Sequence, residues 1–302
     1  MKTRRSFVKK CAFSSIGLIG LRNFTLDEMP KEEVRRLIIA HTNDMHSHID
    51  PFPANDPKFP GQGGMESRAS EIDKLRAAHH DILLLDSGDI FQGTPYFNFF
   101  GGSLELKLMS LMGYDASTMG NHDFDGGMDG FIKAKESANF PFICSNYEMS
   151  DSPLTGHTLS HTLLKKNGLK IGLFGLGVEL EGLVEKRNFE GVRYMDPMET
   201  AKKKIELLRK DLKCDLVICL SHLGYEYESK KISDRVLAKE VSGIDLILGG
   251  HTHTFLESPV IVRHDSGWET RINQVGWAGV KLGLIDLSMS KEAGKKEWRH
   301  LS

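Results

Sequence analysis

The stretch Leu37-Ile38-Ile39-Ala40-His41-Thr42-Asn43-Asp44-Met45-His46 begins as an apolar run and ends on a carboxylate and an imidazole. A short apolar run bounded by polar residues is typical of a buried strand. The apolar runs at 82–85, 216–220 and 244–248 are also followed by polar residues of metal-binding types. The polar segments of this kind are Gly88-Asp89, Gly120-Asn121-His122-Asp123, Ser221-His222 and Gly250-His251-Thr252-His253. The sequence therefore predicts metal-binding side chains where several strands end.

Sites in open α/β sheets assemble at the carboxyl ends of strands. Divalent cations such as Zn²⁺, Mn²⁺ and Fe²⁺ accept imidazole nitrogen and carboxylate oxygen together. Two cations roughly 3.5–4 Å apart need a bridging carboxylate, and a water held between them ionises near neutral pH to a hydroxide that can attack phosphorus. Asp89 suits the bridging position because Gly88 lets the backbone come close. Seven residues are predicted to converge on two cations: Asp44, His46, Asp89, Asn121, His222, His251 and His253.

At these residues the chain resembles the metallophosphoesterase (calcineurin-like) superfamily, and within it the catalytic domain of the 5′-nucleotidase family. Each motif alone is modest, but together they follow the family's order from residue 41 to residue 253. The resemblance implies an α/β fold, a four-layer αββα sandwich of two mixed sheets. The matching stretches are 41–46, Asp86-Ser87-Gly88-Asp89, Gly120-Asn121-His122-Asp123-Phe124-Asp125, Ser221-His222-Leu223-Gly224 and Gly249-Gly250-His251-Thr252-His253.

The resemblance also implies how the metals are shared. One metal would be held by Asp44, His46 and His253, the other by Asn121, His222 and His251, with Asp89 bridging both. Some members of the family carry Gln where this chain has His253, so the identity of the two divalent ions (Zn, Mn, Fe, Mg or Co) stays open.

Catalytic roles follow from the same resemblance. His122 would stabilise developing charge or protonate the leaving oxygen, and Asp125 would orient it, as a carboxylate fixes an imidazole tautomer. We expect Asp123 to brace its loop and Asp86 to support a strand end, neither of them binding metal.

Composition limits the function classes. The chain has 302 residues, 40% hydrophobic and 26% charged, with net charge −2, an ordinary globular balance. Such a charge gives no support for nucleic-acid binding through a basic face. Beyond the N-terminal segment only Cys144, Cys214 and Cys219 occur, without paired spacing, so we expect free thiols rather than a cysteine zinc site.

The N-terminus is predicted to be a targeting segment. The stretch 3–9 resembles the twin-arginine export motif, and the apolar stretch 11–21 is too short for a transmembrane span. We therefore expect a signal peptide over residues 1–29 and a periplasmic or extracellular location. No clear cleavage site follows, so an uncleaved membrane anchor is the alternative.

A catalytic domain is predicted over 35–290, with a frayed Lys- and Glu-rich tail after about residue 288. The Pro- and Gly-rich stretch 51–64 is expected to be a loop that borders the site, and 91–97 an aromatic loop near Asp89. The glycines of 172–177 lack the spacing of a dinucleotide loop and favour a structural strand end. Helices are predicted at 65–80, 104–112, 128–137, 201–212 and 233–241, and further strands at 140–144, 163–176 (a hairpin turning at Asn167-Gly168), 260–263, 270–275 and 280–287.

Three functions remain open from the sequence. The first is an exported phosphomonoester hydrolase of the 5′-nucleotidase kind, acting on nucleotides. The second is a phosphodiesterase or nucleotide-sugar hydrolase with the same site, and the third is a non-catalytic subunit. Typical 5′-nucleotidases continue into a C-terminal specificity domain, and we expect this chain to lack it. We expect either a separately encoded protein to supply it or this domain to act alone.

Overall fold

The computed structural model describes residues 34–79, 81–290 and 296–300 of the chain. The predicted signal peptide lies outside these ranges. Helices are α1 (Met65–Ala78), α2 (Pro95–Phe100), α3 (Ser103–Met112), α4 (Gly127–Lys135), α5 (Pro197–Glu206) and α6 (Asp234–Glu240). Strands are β1 (Val34–Thr42), β2 (Ile82–Asp86), β3 (Ala116–Ser117), β4 (Tyr147–Glu148), β5 (Thr162–Lys166), β6 (Leu169–Gly177), β7 (Arg193–Tyr194), β8 (Leu216–His222), β9 (Leu246–Leu248), β10 (Val260–Arg263), β11 (Glu269–Asn273), β12 (Gly283–Ser290) and β13 (Lys296–His300).

Two mixed sheets dominate the described part of the chain. The first has the order β13-β12-β1-β2-β3, with β1, β2 and β3 parallel and the other two pairings antiparallel. The second has the order β10-β11-β9-β8-β6-β5, in which β6, β8, β9 and β11 are parallel. Because parallel strands end on the same edge of a sheet, β1, β2 and β3 carry their loops to one edge, as do β8 and β9.

The alternation of side chains along β1 shows how the layers form. Leu37 and Ile39 point into a core shared with residues of the second sheet, whereas Ile38 and Ala40 point to a core shared with α1, α3 and α4. A third core lies between the second sheet and helices α5 and α6. The layers are thus helices, sheet, sheet and helices, which confirms the predicted αββα sandwich.

The structure corrects three local predictions. The stretch 91–97 is not all loop, because α2 begins at Pro95. The predicted strand 140–144 makes only isolated bridges at Phe142 and Ile143. The tail is not frayed throughout, since β13 pairs with β12 and Lys296 Nζ lies 2.6 Å from Asp245 Oδ1. The hairpin at Asn167-Gly168 is present as predicted.

No helix in the described ranges has the length and apolar character needed to cross a membrane.

Candidate metal centre

The predicted ligands lie at the carboxyl ends of five strands, three in the first sheet and two in the second. Asp44 and His46 follow β1, Asp89 follows β2 and Asn121 follows β3. His222 is the last residue of β8, and His251 and His253 follow β9. The centre therefore takes side chains from both sheets.

Six of the seven residues fall into two compact groups. Asp44, His46 and His253 form one group, in which His253 Nε2 lies 3.3 Å from Asp44 Oδ1 and 3.0 Å from His46 Nε2. The other group comprises Asp89, His222 and His251. In each group, the possible ligand atoms lie within 4.8 Å of one another. The first group contains the three residues that the resemblance assigns to one metal, and the second contains His222 and His251, two of the three that it assigns to the other.

Asp89, a member of the second group, also faces the first, and Asn121 lies beside the second group. Asp89 Oδ2 is 3.0 Å from His222 Nε2 and 3.9 Å from His46 Nε2. Asn121 Oδ1 is 2.9 Å from His251 Nδ1. All seven predicted residues are thus brought together, and Asp89 faces histidines of both groups.

The donor atoms fit two divalent cations. The carbonyl oxygen of Ser87 lies 2.7 Å from His222 Nδ1, and that of Gln92 lies 3.1 Å from His46 Nδ1. With Nδ1–H donating to these carbonyls, each Nε2 presents a lone pair to the centre. His222 Nε2 is buried and lacks a well-oriented hydrogen-bond partner among the described residues. Imidazole nitrogens and carboxylate oxygens converging in this way suit metals such as Zn²⁺ or Mn²⁺.

The pKa shifts of the two histidines in the second group go in opposite directions. Burial disfavours a charged His222, but the nearby Asp89 carboxylate outweighs it and raises the pKa of His222 to about 10. Asp89 is itself buried, yet His222 holds its pKa well below the usual range. Burial, together with the charge of His222, lowers the pKa of His251 to about 4. Without a bound metal, His222 is therefore protonated beside Asp89 and a metal ion would have to displace that proton, whereas His251 is neutral.

Five of the predicted ligands have left-handed backbone conformations. Asp44 (φ 51°), His46 (φ 48°), Asp89 (φ 56°), His251 (φ 73°) and His253 (φ 51°) all have positive φ. Such conformations in residues other than glycine cost about 1–3 kcal/mol each and cluster at functional sites. The surrounding hydrogen bonds must therefore stabilise a geometry that the backbone alone disfavours.

Close approach of the β2 and β3 loops requires glycine. A Cβ on Gly88, which has φ 85°, would lie 2.5 Å from the backbone nitrogen of Gly120. A Cβ on Gly120 would lie 2.2 Å from Asp89 Oδ1. This confirms the expectation that Gly88 lets the backbone come close. Gly120, on the opposite loop, is needed for the same close approach.

Asp123 braces these two loops, as predicted. Its buried carboxylate accepts hydrogen bonds from the backbone N–H groups of Gly120, Asp89, Ile90 and Phe91 at 2.8–3.2 Å. We refer to this arrangement as the Asp123 clamp.

Asp86 likewise supports the end of β2. It accepts hydrogen bonds from the side chains of Thr42 (2.6 Å) and Ser117 (2.9 Å) and from the Gly88 N–H (2.9 Å).

His122 lies at the edge of the centre and is partly exposed. Its Nδ1 lies 2.7 Å from Asp125 Oδ2, and its backbone N–H donates to Asp89 Oδ1 at 2.8 Å. Its ring centroid is 5.3 Å from that of His46. The hydrogen bond with Asp125 raises the pKa of His122 against the effect of burial. The hydrogen bond with Asp125 therefore favours the protonated form of the imidazole beside the metal ligands.

Two neighbours of the centre were not predicted from the sequence. Asn43 Nδ2 donates to Asp44 Oδ2 at 2.6 Å and so orients that carboxylate. Trp277 stacks on His253, with ring centroids 5.5 Å apart and an interplanar angle of 6°. Asn43 lies inside the motif 41–46 and could have been noticed there, whereas no motif includes Trp277.

The predicted border loop 51–64 reaches the site through Phe52, whose ring centroid is 5.9 Å from that of Trp277.

Comparison with known proteins places this geometry in a family. The sequence profile of the calcineurin-like phosphoesterase family matches residues 37–255. A snake venom 5′-nucleotidase of Gloydius brevicauda is 32% identical over 271 residues, covering 83% of this chain and 45% of the relative. The trifunctional nucleotide phosphoesterase protein YfkN of Bacillus subtilis (strain 168) is 28% identical over 321 residues, covering 95% of this chain and 20% of the relative.

Solved structures agree with the sequence comparison. The crystal structure of a 5′-nucleotidase precursor from Thermus thermophilus superposes with a TM-score of 0.77 at 29% identity, covering 88% of this chain and 54% of that one. The chain spans about half the length, or less, of the curated relatives named above. Because the family profile matches most of the chain and includes every predicted ligand, the chain belongs to the calcineurin-like phosphoesterase family.

Proposed function

We propose that the chain is a metal-dependent phosphoester hydrolase that acts as a 5′-nucleotidase-like phosphomonoesterase on nucleotides. The observation that carries this proposal is the pair of ligand groups whose histidines Asp89 faces, with the hydrogen-bonded His122 and Asp125 beside them. Nucleotides are the favoured substrates because relatives at about a third identity are 5′-nucleotidases.

The ligand residues would divide between two cations. Asp89 would contribute to both, because its carboxylate faces histidines of both groups. When bound, two such cations supply Lewis-acid polarisation of a phosphoryl group and activation of water. The first cation would be held by Asp44, His46 and His253, and the second by Asn121, His222 and His251.

The protein's own contribution to proton transfer would come from His122. With Nδ1 engaged by Asp125, its Nε2 is the atom left to face the substrate. From there it would donate a proton to the leaving oxygen or a hydrogen bond to the phosphoryl group. Asp125 would fix the tautomer and the direction of the ring.

Metal analysis tests the first half of the proposal. After reconstitution with Zn²⁺ or Mn²⁺ and removal of excess metal, elemental analysis should find close to two ions per chain. Asp89→Ala should lower occupancy of both sites, because this carboxylate faces both groups, whereas His46→Ala should empty mainly one. Reproducible loading of one ion or none in the wild-type chain would contradict a two-metal centre.

A substrate panel tests the second half. The metal-loaded chain is given AMP, p-nitrophenyl phosphate, bis-p-nitrophenyl phosphate and a nucleotide sugar under the same conditions. We expect the monoesters to be hydrolysed faster than the diesters. Faster cleavage of the diester or of the nucleotide sugar would favour the alternative hydrolases, and no turnover with both metals bound would favour a non-catalytic subunit.

We also propose that the chain is exported by the twin-arginine pathway. The support is the stretch 3–9, which includes Arg4 and Arg5, followed by the short apolar stretch 11–21. Fractionation of cells that express the full chain should find it outside the cytoplasm. Replacing both arginines with lysine should retain it inside, and unchanged export of that variant would contradict the proposal.

A further inference from the structure

The imidazole of His253 is held differently from those of two other histidines in the centre. His46 and His222 are oriented through Nδ1 by the carbonyl oxygens of Gln92 and Ser87. Among the residues that the structure describes, none forms a hydrogen bond with Nδ1 of His253. Its side chain is also 39% exposed, whereas those of His46 and His222 are 7% and 0% exposed. Its Nε2 lies 3.0 Å from His46 Nε2, so on the Nδ1 side packing, and not a hydrogen bond, is what can limit rotation of this ring.

The ring packed against it is the indole of Trp277. The two planes are nearly parallel, with an interplanar angle of 6° and centroids 5.5 Å apart. A flat face pressed against an imidazole restricts rotation of that ring about its bond to Cβ. The indole therefore covers one face of the His253 ring, whereas His46 and His222 are contacted at Nδ1 by backbone carbonyls.

The loop carrying Trp277 is fastened to the segment that supplies another ligand of the same group. Before the indole, the Gly276 carbonyl accepts a hydrogen bond from Asn43 Nδ2 at 2.6 Å. After it, the Ala278 N–H donates to the backbone oxygen of Asp44 at 2.7 Å. Trp277 is thus fixed on both sides by residues 43 and 44.

Other rings pack around the indole and limit its own movement. The rings of His48 and Phe52 meet it edge to face, with centroids 5.3 and 5.9 Å away. His48 and Phe52 are stacked on each other at 4.9 Å. The indole therefore belongs to a packed cluster at the border of the centre.

We propose that Trp277 is a positioning residue that fixes the imidazole of His253 for binding one of the two metals. This rests on the proposed assignment of His253 as a ligand of the first cation. Trp277 does not contact the metal in this proposal and acts only through His253. Loss of its ring should therefore weaken the site formed by Asp44, His46 and His253 and leave the other site unchanged.

Titration calorimetry of the full chain with Mn²⁺ tests this. Trp277→Leu is expected to weaken one of the two sites by about 10-fold, the scale seen when residues supporting metal ligands are changed. Trp277→Phe keeps a flat ring and should restore most of that affinity. Unchanged affinities in Trp277→Leu, or loss of affinity at both sites equally, would overturn the inference.

A double-mutant cycle separates positioning from general disturbance. In a His253→Ala background, Trp277→Leu should cause no further loss of metal affinity, because there is no imidazole left to position. Additive losses would overturn the inference while leaving the metal assignment intact. If His253→Ala alone changes neither site, the assignment of His253 and this inference both fail.

Fluorescence gives a readout that does not depend on the stability of Trp277→Leu. Binding of Co²⁺ to the wild-type chain should quench tryptophan emission, because an indole stacks directly on a ligand. Trp277→Phe should abolish this quenching. Trp298→Phe should retain it, since Trp298 lies on β13 beside Arg271. Equal quenching in Trp277→Phe and the wild-type chain would overturn the inference.

Discussion

At the scale of single residues, the sequence indicated which side chains converge but not how they are held. Asp44, Asp89 and His222 could be recognised because metal-binding residue types stand where apolar runs end. The positive φ values of Asp44 and Asp89 could not, because a left-handed conformation at a residue other than glycine is imposed by distant contacts. The ring of Trp277 was missed for the same reason, since its relation to His253 exists only in the folded chain.

Replacing His122 tests the proposed proton donor. His122→Ala should keep both metals, because the side chain is not among the proposed ligands, but should lower kcat by about 10²–10⁴-fold, the usual contribution of acid–base catalysis. Asp125→Asn should lower it less, because the imidazole remains in place. Turnover of AMP and elemental analysis are measured together.

His157→Ala is the control for these variants, because His157 lies outside the motifs and has a hydrogen bond through its backbone N–H. It should behave as the wild-type chain. Wild-type turnover in metal-loaded His122→Ala would remove His122 from the mechanism.

At the scale of elements, long apolar runs were predicted well, and short or charged elements were not. β2, β8 and β9 are buried throughout, and apart from the polar residues that end β2 and β8 their sequences are continuous apolar runs. β13 was mistaken for a frayed tail because its charges usually disfavour strands. In the folded chain it lies at the edge of the first sheet, where Lys296 pairs with Asp245 and Trp298 faces Leu287. Such partners cannot be read from the segment alone.

Gly175 on β6 is expected to be irreplaceable for a packing reason. A Cβ there would lie 1.9 Å from the backbone oxygen of Ile143, and the Ser145 N–H donates to the Gly175 carbonyl at 2.8 Å. Gly175→Ala must therefore separate two backbone segments, and overpacking of this kind typically costs about 1–3 kcal/mol or more in free energy of unfolding. Urea denaturation measures the change.

Gly130→Ala is the matched control. Gly130 lies within α4, and a Cβ there would meet no atom within 4 Å. Alanine should stabilise the helix by roughly 0.5–1 kcal/mol. Equal effects of the two substitutions would contradict the packing explanation for Gly175.

At the scale of the whole molecule, each ligand group draws on both sheets. In one group, Asp44 and His46 come from the first sheet and His253 from the second. In the other, Asp89 comes from the first sheet and His222 from the second. The sandwich arrangement was predicted through the family resemblance, because alternation within single strands does not say which sheets pack together. Buried strand residues such as Ile39 and Ile218 are common to many folds, whereas the order of motifs along the chain is specific.

Removing the metals should destabilise the whole domain. Asp44 and Asp89 are buried carboxylates, and without cations their charges lose the strongest partners available to them. Ligands that bind only the folded state stabilise it by about 2.7 kcal/mol at 100 times their dissociation constant. Treatment with a chelator should therefore lower Tm in calorimetry, and added Zn²⁺ or Mn²⁺ should restore it.

The Asp89→Ala variant serves as the reference for that measurement. Because it should hold little metal, the chelator should hardly change its Tm. A wild-type Tm that is insensitive to chelation would show that the metals do not contribute to stability.

The Asp123 clamp has a consequence for the order in which the site is assembled. All its donors and its acceptor lie between residues 89 and 123, and the strands they follow, β2 and β3, end by Ser117. A chain emerging from the ribosome could therefore arrange Asp89 and the β3 loop before β8 and β9 have been synthesised. In pulse-labelled hydrogen exchange during refolding, the Gly120 and Ile90 amides should become protected earlier than those of β8. Simultaneous protection would mean that the two halves of the centre form together.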